Sequence, residues 1–178
     1  MTDLHVHPPA TRRWTLGRVL AAICVVGVVA MWSYVLFLAV AEGRQSPRDR
    51  VADPAFARAA QDICATAHID VAALPPAADT PDPTERAAIV TTANQRFARM
   101  LDDLDAVVPE GDDGRIVREW LADWRTYLGD RAAYARALTK DPTAQLLVTP
   151  KDQQQVTEFI DAFAADNRII ACATPIDV

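Results

Sequence analysis

The stretch VLAAICVVGVVAMWSYVLFLAVA, residues 19–41, contains no charged side chain. As an α-helix that rises ~1.5 Å per residue, it spans roughly 34 Å, and the hydrocarbon core of a bilayer is about 30 Å thick. The stretch therefore predicts a transmembrane helix. The remainder of the 178 residues has room for one compact domain.

A cleaved signal peptide is the alternative interpretation of this N-terminal segment. Ala39 and Ala41 form an A-x-A pattern, and Arg12 and Arg13 resemble a loose twin-arginine signal. The apolar part of a signal peptide usually has about 7 to 15 residues, so the greater length of this one favours an uncleaved anchor. Both interpretations export the residues that follow.

Charge does not decide the orientation, because three arginines lie shortly before the span and three lie shortly after it. The cysteines do. Cys64 and Cys172 are the only cysteines after the span, one near each end of the following domain, and they predict a disulfide made in an oxidising compartment. The alternative is two buried free thiols. The disulfide interpretation predicts a cytoplasmic tail (1–18), a transmembrane helix (19–41), a connector (42–52) and an extracytoplasmic domain (53–178).

Four amphipathic helices are expected in that domain, and the absence of a long period-two alternation argues against a sheet. Asp53-Pro54 and Asp82-Pro83 each predict an N-cap followed by proline in the first turn. Asp112 or Asp113 is expected to cap the third helix, and Thr149-Pro150 the last. Ala144–Val148 reads equally as an irregular link or one helical turn. The predicted fold class is all-α, one transmembrane helix followed by a four-helix-bundle-like domain closed by a disulfide.

The residue inventory argues against catalysis. No serine follows the connector, and His68 is the only histidine beyond the span. The sequence has no C-x-x-C and no glycine-rich phosphate loop, so no cofactor or metal is expected; His5 and His7 in the tail read as an adventitious pair. Beyond the span there are 15 basic and 23 acidic residues, which argues against nucleic acid as a partner.

Two groups of side chains are candidate sites. One helical face carries an aromatic stripe that predicts either an interaction or ligand surface or simply the domain core: Trp120, Trp124, Tyr127, Arg131 and Tyr134. An acidic cluster predicts either a calcium site without regular ligand spacing or a solvated helix end: Asp102, Asp103, Asp105, Glu110, Asp112 and Asp113.

Three segments carry a resemblance: ICATAHIDVAALPPA (63–77), REWLADWRTYLGDRAAYA (118–135) and the terminal ACATPIDV (171–178). Together with the short basic tail and the single span, they resemble an uncharacterised family of membrane-anchored proteins from high-GC Gram-positive bacteria. The resemblance covers nearly the whole chain. It implies the topology and the paired cysteines, and it implies no activity.

These observations predict a non-catalytic module that binds another envelope or membrane protein and contacts the bilayer through residues 19–41. A small-ligand sensing or carrier domain, with a pocket near the aromatic stripe, is the second interpretation. An enzyme is the third, and it would have to work with Asp, Glu, Arg, Tyr and His68 alone.

Overall fold

The structure, a computed structural model, describes residues 16–42 and 49–176. Its first unit contains one helix, α1 (Leu16–Glu42). Within α1 the stretch Gly17–Phe37 is long and apolar enough to cross a bilayer, with a mean hydropathy of 2.4, and none of it is buried. The helix is longer at both ends than the predicted span 19–41.

The second unit holds four further α-helices, which confirms the all-α fold class. Helices α2 (Pro54–Ala72) and α3 (Pro83–Asp105) begin where the Asp-Pro pairs predict. The carboxylate of Asp53 accepts a hydrogen bond from the amide of Ala55, and that of Asp82 from the amide of Thr84, each at 2.8 Å. Both helices therefore start from local sequence signals that need no tertiary support.

The start of α4 (Gly111–Leu138) differs from the prediction. Glu110 occupies the N-cap position without a side-chain hydrogen bond, and neither Asp112 nor Asp113 caps the helix. Gly111 has a φ of 70°, a left-handed conformation that glycine adopts without strain. A Cβ on Gly114 would overlap the carbonyl oxygen of Pro109, so the preceding loop crosses this helix at contact distance.

The expected helix start at Thr149-Pro150 is wrong. A two-residue antiparallel hairpin comes first, with β1 (Pro150–Lys151) paired to β2 (Gln154–Gln155), and α5 (Val156–Asp166) follows directly. Asp152 and Gln153 form the turn with φ of 46° and 70°. This is the main-chain geometry of a tight hairpin, reached here without asparagine or glycine. Residues 144–148 are irregular.

A Schellman motif ends α5. The amide of Ile169 donates to the carbonyl of Ala164 at 2.9 Å, and that of Arg168 to the carbonyl of Ala165 at 3.1 Å. Arg168 has a φ of 58°. This arrangement usually employs glycine at the left-handed position, and an apolar residue after it, here the buried Ile169.

The buried side chains form two clusters of unequal size. Among the described residues, the first core has 21 buried members, drawn from α2, α3, α4, α5 and the turn after α5. Its larger members include Phe56, Phe97, Trp120, Trp124 and Phe163. The second core lies between the amino-terminal half of α3 and the carboxyl-terminal end of α4. Its members are Ala77, Ala87, Val90, Ala135 and Leu138.

A disulfide closes the domain, as predicted. Cys64 on α2 and Cys172 in the short 3-10 turn Ile170–Cys172 are bonded, with Cα atoms 5.1 Å apart, and neither residue is exposed to solvent. The bond ties the C-terminal segment to the first helix of the domain across a sequence separation of 108 residues. Cys24 in α1 is a free thiol.

Candidate functional site

The aromatic stripe of α4 lies inside the first core. Trp120, Trp124 and Tyr127 are 2%, 0% and 3% exposed. Trp120 stacks on Phe163 with ring centroids 4.6 Å apart, and its Nε1 donates to the carbonyl of Ile160 at 3.3 Å. Trp120 thus holds α5 against α4, and the ring of Trp124 lies against Phe97 of α3 at a centroid distance of 5.8 Å. The buried part of the stripe is core and presents no surface to a partner.

Arg131 belongs to the same interior, so for this residue too the core interpretation of the stripe holds. The residue is 0% exposed, and its Nε donates to Oδ1 of Asn94 at 2.7 Å. Its guanidinium lies 5.6 Å from the ring centroid of Phe97 and 5.7 Å from that of Tyr127. Two cation–π contacts and a charge-assisted hydrogen bond thus compensate part of the cost of burying the cation. Tyr134 is half-buried against the second core.

His68 also faces this region. Its ring meets Phe97 edge to face at a centroid distance of 5.3 Å, and Phe97 in turn lies 5.8 Å from Trp124. In the part of the chain that the structure describes, Nε1 of the fully buried Trp124 has no hydrogen-bond acceptor. A buried donor without an acceptor costs about 1–3 kcal/mol, a cost that the packing of the Trp124 ring against Phe97 and Tyr127 must offset.

Two residues of the acidic cluster make contacts that stabilise the fold. Asp113 accepts hydrogen bonds from the amides of Ala52 and Asp53, at 2.9 and 3.0 Å. Asp105 forms an ion pair with Arg125 of α4. Across residues 16–42 and 49–176 the structure brings no three metal-ligating side chains together. His5 and His7 lie outside the described residues.

The end of the predicted connector is bound to the domain, a feature that sequence reasoning missed. Oδ1 of Asn167 accepts from the amide of Val51 at 2.8 Å, and its Nδ2 donates to the carbonyl of Asp49 at 3.0 Å. Asp113 holds the next two amides. The chain therefore enters the domain through a clamp made by Asp113 in the first turn of α4 and by Asn167, the C-cap residue directly after α5. In the sequence, residues 43–48 separate α1 from this clamp.

Among the grooves that the described residues form on the surface of the domain, two are the most open. The larger, of about 810 Å³, runs between α3 and α4 and is lined chiefly by small side chains such as Ala88, Thr91, Ala98, Ala132 and Ala135. The smaller, of about 360 Å³, lies between the end of α2 and the C-terminal segment that the disulfide holds. Both grooves are open and lack a convergent set of polar groups, so their shape suits an apolar surface of another molecule better than a reaction.

No protein-family model, no curated protein and no solved structure matches this chain. Function must therefore be argued from the residues themselves.

Proposed function

We propose that this protein is a single-pass membrane protein whose helical domain lies outside the cytoplasm and binds another membrane or envelope protein without catalysing a reaction. The observation that carries the proposal is the combination of an unburied apolar helix with a disulfide-closed domain only a few residues away. Disulfides form and persist in oxidising compartments, and the anchor gives the domain a route to one.

The site of the disulfide supports export. Cys64 and Cys172 are both 0% exposed and belong to the first core, so the fold is built around the bonded pair. A chain-entropy estimate for a loop of this length gives about 4 to 5 kcal/mol of stabilisation, a large share of the stability of a small domain. A domain that depends on such a bond is suited to a compartment in which cysteines stay oxidised.

Exposed apolar side chains support protein binding. Ile69, Leu147 and Ile170 are 71%, 81% and 63% exposed. Ile170 lines the smaller groove directly beside the disulfide. An apolar side chain beside a groove, on a segment that a disulfide holds, is available to an apolar surface of a partner, whereas the buried aromatic and arginine side chains are committed to the fold.

Topology can be tested with two reporters fused to the C-terminus, alkaline phosphatase and green fluorescent protein. We expect phosphatase activity and no fluorescence, together with recovery of the full-length chain in the membrane fraction. Thiol labelling of denatured but unreduced protein should modify Cys24 alone. A fluorescent cytosolic fusion, or labelling of Cys64 and Cys172 as well, would refute the proposed location, and a mature chain that begins after Ala41 would replace the anchor by a cleaved signal.

Partner binding can be tested by photo-crosslinking in living cells. A photoreactive amino acid is placed at Ile170, beside the smaller groove, and in a matched variant at Arg58, which is exposed on α2 and does not line that groove. We expect Ile170 to give a discrete adduct with one envelope protein, and Arg58 to give none. Equal and diffuse labelling from both positions would count against a specific partner.

A further inference from the structure

The C-terminal segment (residues 170–176) builds most of the smaller groove. Six of the nine residues that line this groove belong to the segment. The other wall consists of His68, Val71 and Ala72 at the end of α2. In the described part of the chain, the groove therefore exists only while the segment lies against α2.

A single buried side chain anchors this segment. Cys172 is 0% exposed, whereas Ile170 and Ile176 are 63% and 101% exposed, and the other four residues of the segment are half-buried. A segment that removes so little apolar surface from water gains little from the hydrophobic effect. Its one fully buried side chain is the cysteine that is bonded to Cys64 of α2.

Among the described residues, three hydrogen bonds to side chains also hold the segment. The amide of Ala171 donates to Oε1 of Gln61 at 3.1 Å. The amide and Oγ1 of Thr174 donate to the carboxylate of Asp161 at 2.7 and 3.1 Å. Both acceptor residues are only half-buried, so water can replace these bonds, whereas ordering the segment costs conformational entropy at every residue. The position of the segment therefore depends chiefly on its covalent bond to α2.

We propose that oxidation of Cys64 and Cys172 sets the C-terminal segment in place and thereby completes the smaller groove. In this step the two thiols lose two protons and two electrons to the disulfide of a thiol–disulfide oxidant, which leaves as a dithiol. All buried members of the first core except Ile169 and Cys172 lie on α2–α5 themselves. In the reduced chain these helices stay packed together, while the segment leaves α2 and the groove is absent.

This inference rests on the proposed function and adds a regulation to it, because Ile170, where contact with the partner is proposed, lies on the segment. A chain that is still in the cytoplasm has reduced thiols and lacks the completed groove. Binding of the partner then waits for export to a compartment in which cysteines are oxidised. The disulfide thus couples the ability to bind to the location of the domain.

The first test follows the segment itself and needs no partner. Full-length Cys24→Ala protein in mild detergent is compared in its oxidised form and after refolding under a phosphine reductant, which keeps both sulfur atoms and so leaves no cavity. Hydrogen exchange in a short pulse is followed by NMR. We expect the amides of Ala171 and Thr174 to exchange only in the reduced protein, and those of Leu121 and Trp124, buried in the middle of α4, to stay protected in both forms.

Two results of this test would overturn the proposal. Continued protection of Ala171 and Thr174 in the reduced protein would show that the segment holds its position without the bond. Exchange of Leu121 and Trp124 within the same pulse would show that the bond sustains the whole domain rather than the segment.

The second test repeats the photo-crosslinking from Ile170 with the Cys64→Ala/Cys172→Ala variant. We expect the discrete adduct to fall at least roughly tenfold, because only the fraction of chains with an ordered segment can bind. Asp161→Ala is the matched control: it removes the hydrogen bonds to Thr174, keeps the disulfide, and should retain the adduct within about twofold.

An undiminished adduct in the double alanine variant, or an equal loss in Asp161→Ala, would refute the dependence on the disulfide while the partner proposal stands. If the wild-type chain gives no adduct either, the proposed function fails, and the exchange of Ala171 and Thr174 still decides whether oxidation orders the segment.

Discussion

The two cores of the domain differ in what holds them. The first core joins α2, α3, α4 and α5 through aromatic rings and contains the disulfide. The second core joins only the amino-terminal half of α3, the end of α4 and the turn at Ala77, and three of its five buried residues are alanine. Because buried apolar area sets the main stabilising term, we expect the first core to carry most of the stability.

The two cores also differ in which side chains near them remain accessible to a partner. Tryptophan and arginine are frequent in binding hot spots, but Trp120, Trp124 and Arg131 are buried in the interior of the domain. The larger groove instead follows the α3–α4 pair toward the second core, where small side chains leave room. Five measurements test how stability is divided between the two cores and the segments beside them.

Removal of the disulfide should have the largest effect. We expect the Cys64→Ala/Cys172→Ala variant to lose about 4 kcal/mol of unfolding free energy, because the bond closes a loop of 108 residues in the unfolded chain. Guanidinium unfolding of the full chain in mild detergent, followed by circular dichroism, measures it. Cys24→Ala is the control and should change nothing. A loss below about 1 kcal/mol would mean that aromatic packing alone sustains the first core.

A leucine-to-alanine substitution in each core compares directly how much the two cores contribute to stability. Leu121 and Leu138 lie on one helix and are 0% and 1% exposed, the first in the first core and the second in the second. We expect Leu121→Ala to cost about 4 kcal/mol and Leu138→Ala about 2, since a site at a helix end can collapse around the deleted atoms. Unfolding free energies of the two variants give the comparison. Equal costs would show that the second core is as tightly packed as the first.

Alanine substitutions of two glycines in α4 form a matched pair, and their expected effects on stability are of intermediate size. Gly114→Ala should destabilise the domain by about 1–3 kcal/mol, because the new methyl group would overlap the carbonyl of Pro109. Gly129 has no neighbour within 4 Å of the position of a Cβ. Gly129→Ala should therefore stabilise by about 0.5–1 kcal/mol through helix propensity. Melting temperatures of both variants should shift in opposite directions, and a shift in the same direction would contradict the close crossing at Gly114.

The sequence predicts local features of this fold better than tertiary ones. Asp53 and Asp82 act within their own helices, so their caps were predictable from neighbouring residues. The sequence suggests Asp113 as a third N-cap, but its carboxylate accepts hydrogen bonds from the amides of Ala52 and Asp53 instead. This contact joins residues about 60 positions apart, so neighbouring residues do not reveal it. The hairpin was missed because its left-handed turn residues are Asp152 and Gln153, which give no asparagine–glycine signal.

The candidate sites were harder to predict than the helices, for a related reason. A stripe of aromatic residues on one face of α4 has the same pattern whether that face meets α5 or a partner. Only the position of α5 and its Phe163 decides that Trp120 is buried. The grooves form between elements that are distant in sequence, and their small side chains carry no motif of their own.

A smaller gain in stability is expected from a substitution at the C-terminal end of α5. Arg168→Gly should stabilise the domain by about 1 kcal/mol, because the left-handed φ of 58° is costly for arginine and free of strain for glycine. The side chain is exposed, so little contact is lost. Asp166→Gly, inside the last turn of α5, is the control and should be destabilising. If Arg168→Gly also destabilises, the arginine side chain makes a contribution in solution that exceeds the cost of its backbone conformation.

The smallest effect concerns one carboxyl group in the loop after α4. Asp141 accepts hydrogen bonds from Oγ1 of Thr143 at 2.7 Å and from its amide at 2.8 Å, and these lower the pKa of Asp141. A lowered pKa in the folded state means that the interaction stabilises the fold above the ordinary pKa and is lost as the pH falls through the folded value.

Thr143→Val removes the hydroxyl, the larger cause, so the pKa of Asp141 should rise toward its ordinary value when followed by carboxyl NMR. An unchanged pKa would assign the effect to the backbone amide. In either case the unfolding free energy at neutral pH should move far less than for Leu138→Ala, because an exposed loop beside the second core contributes little to what holds the helices together.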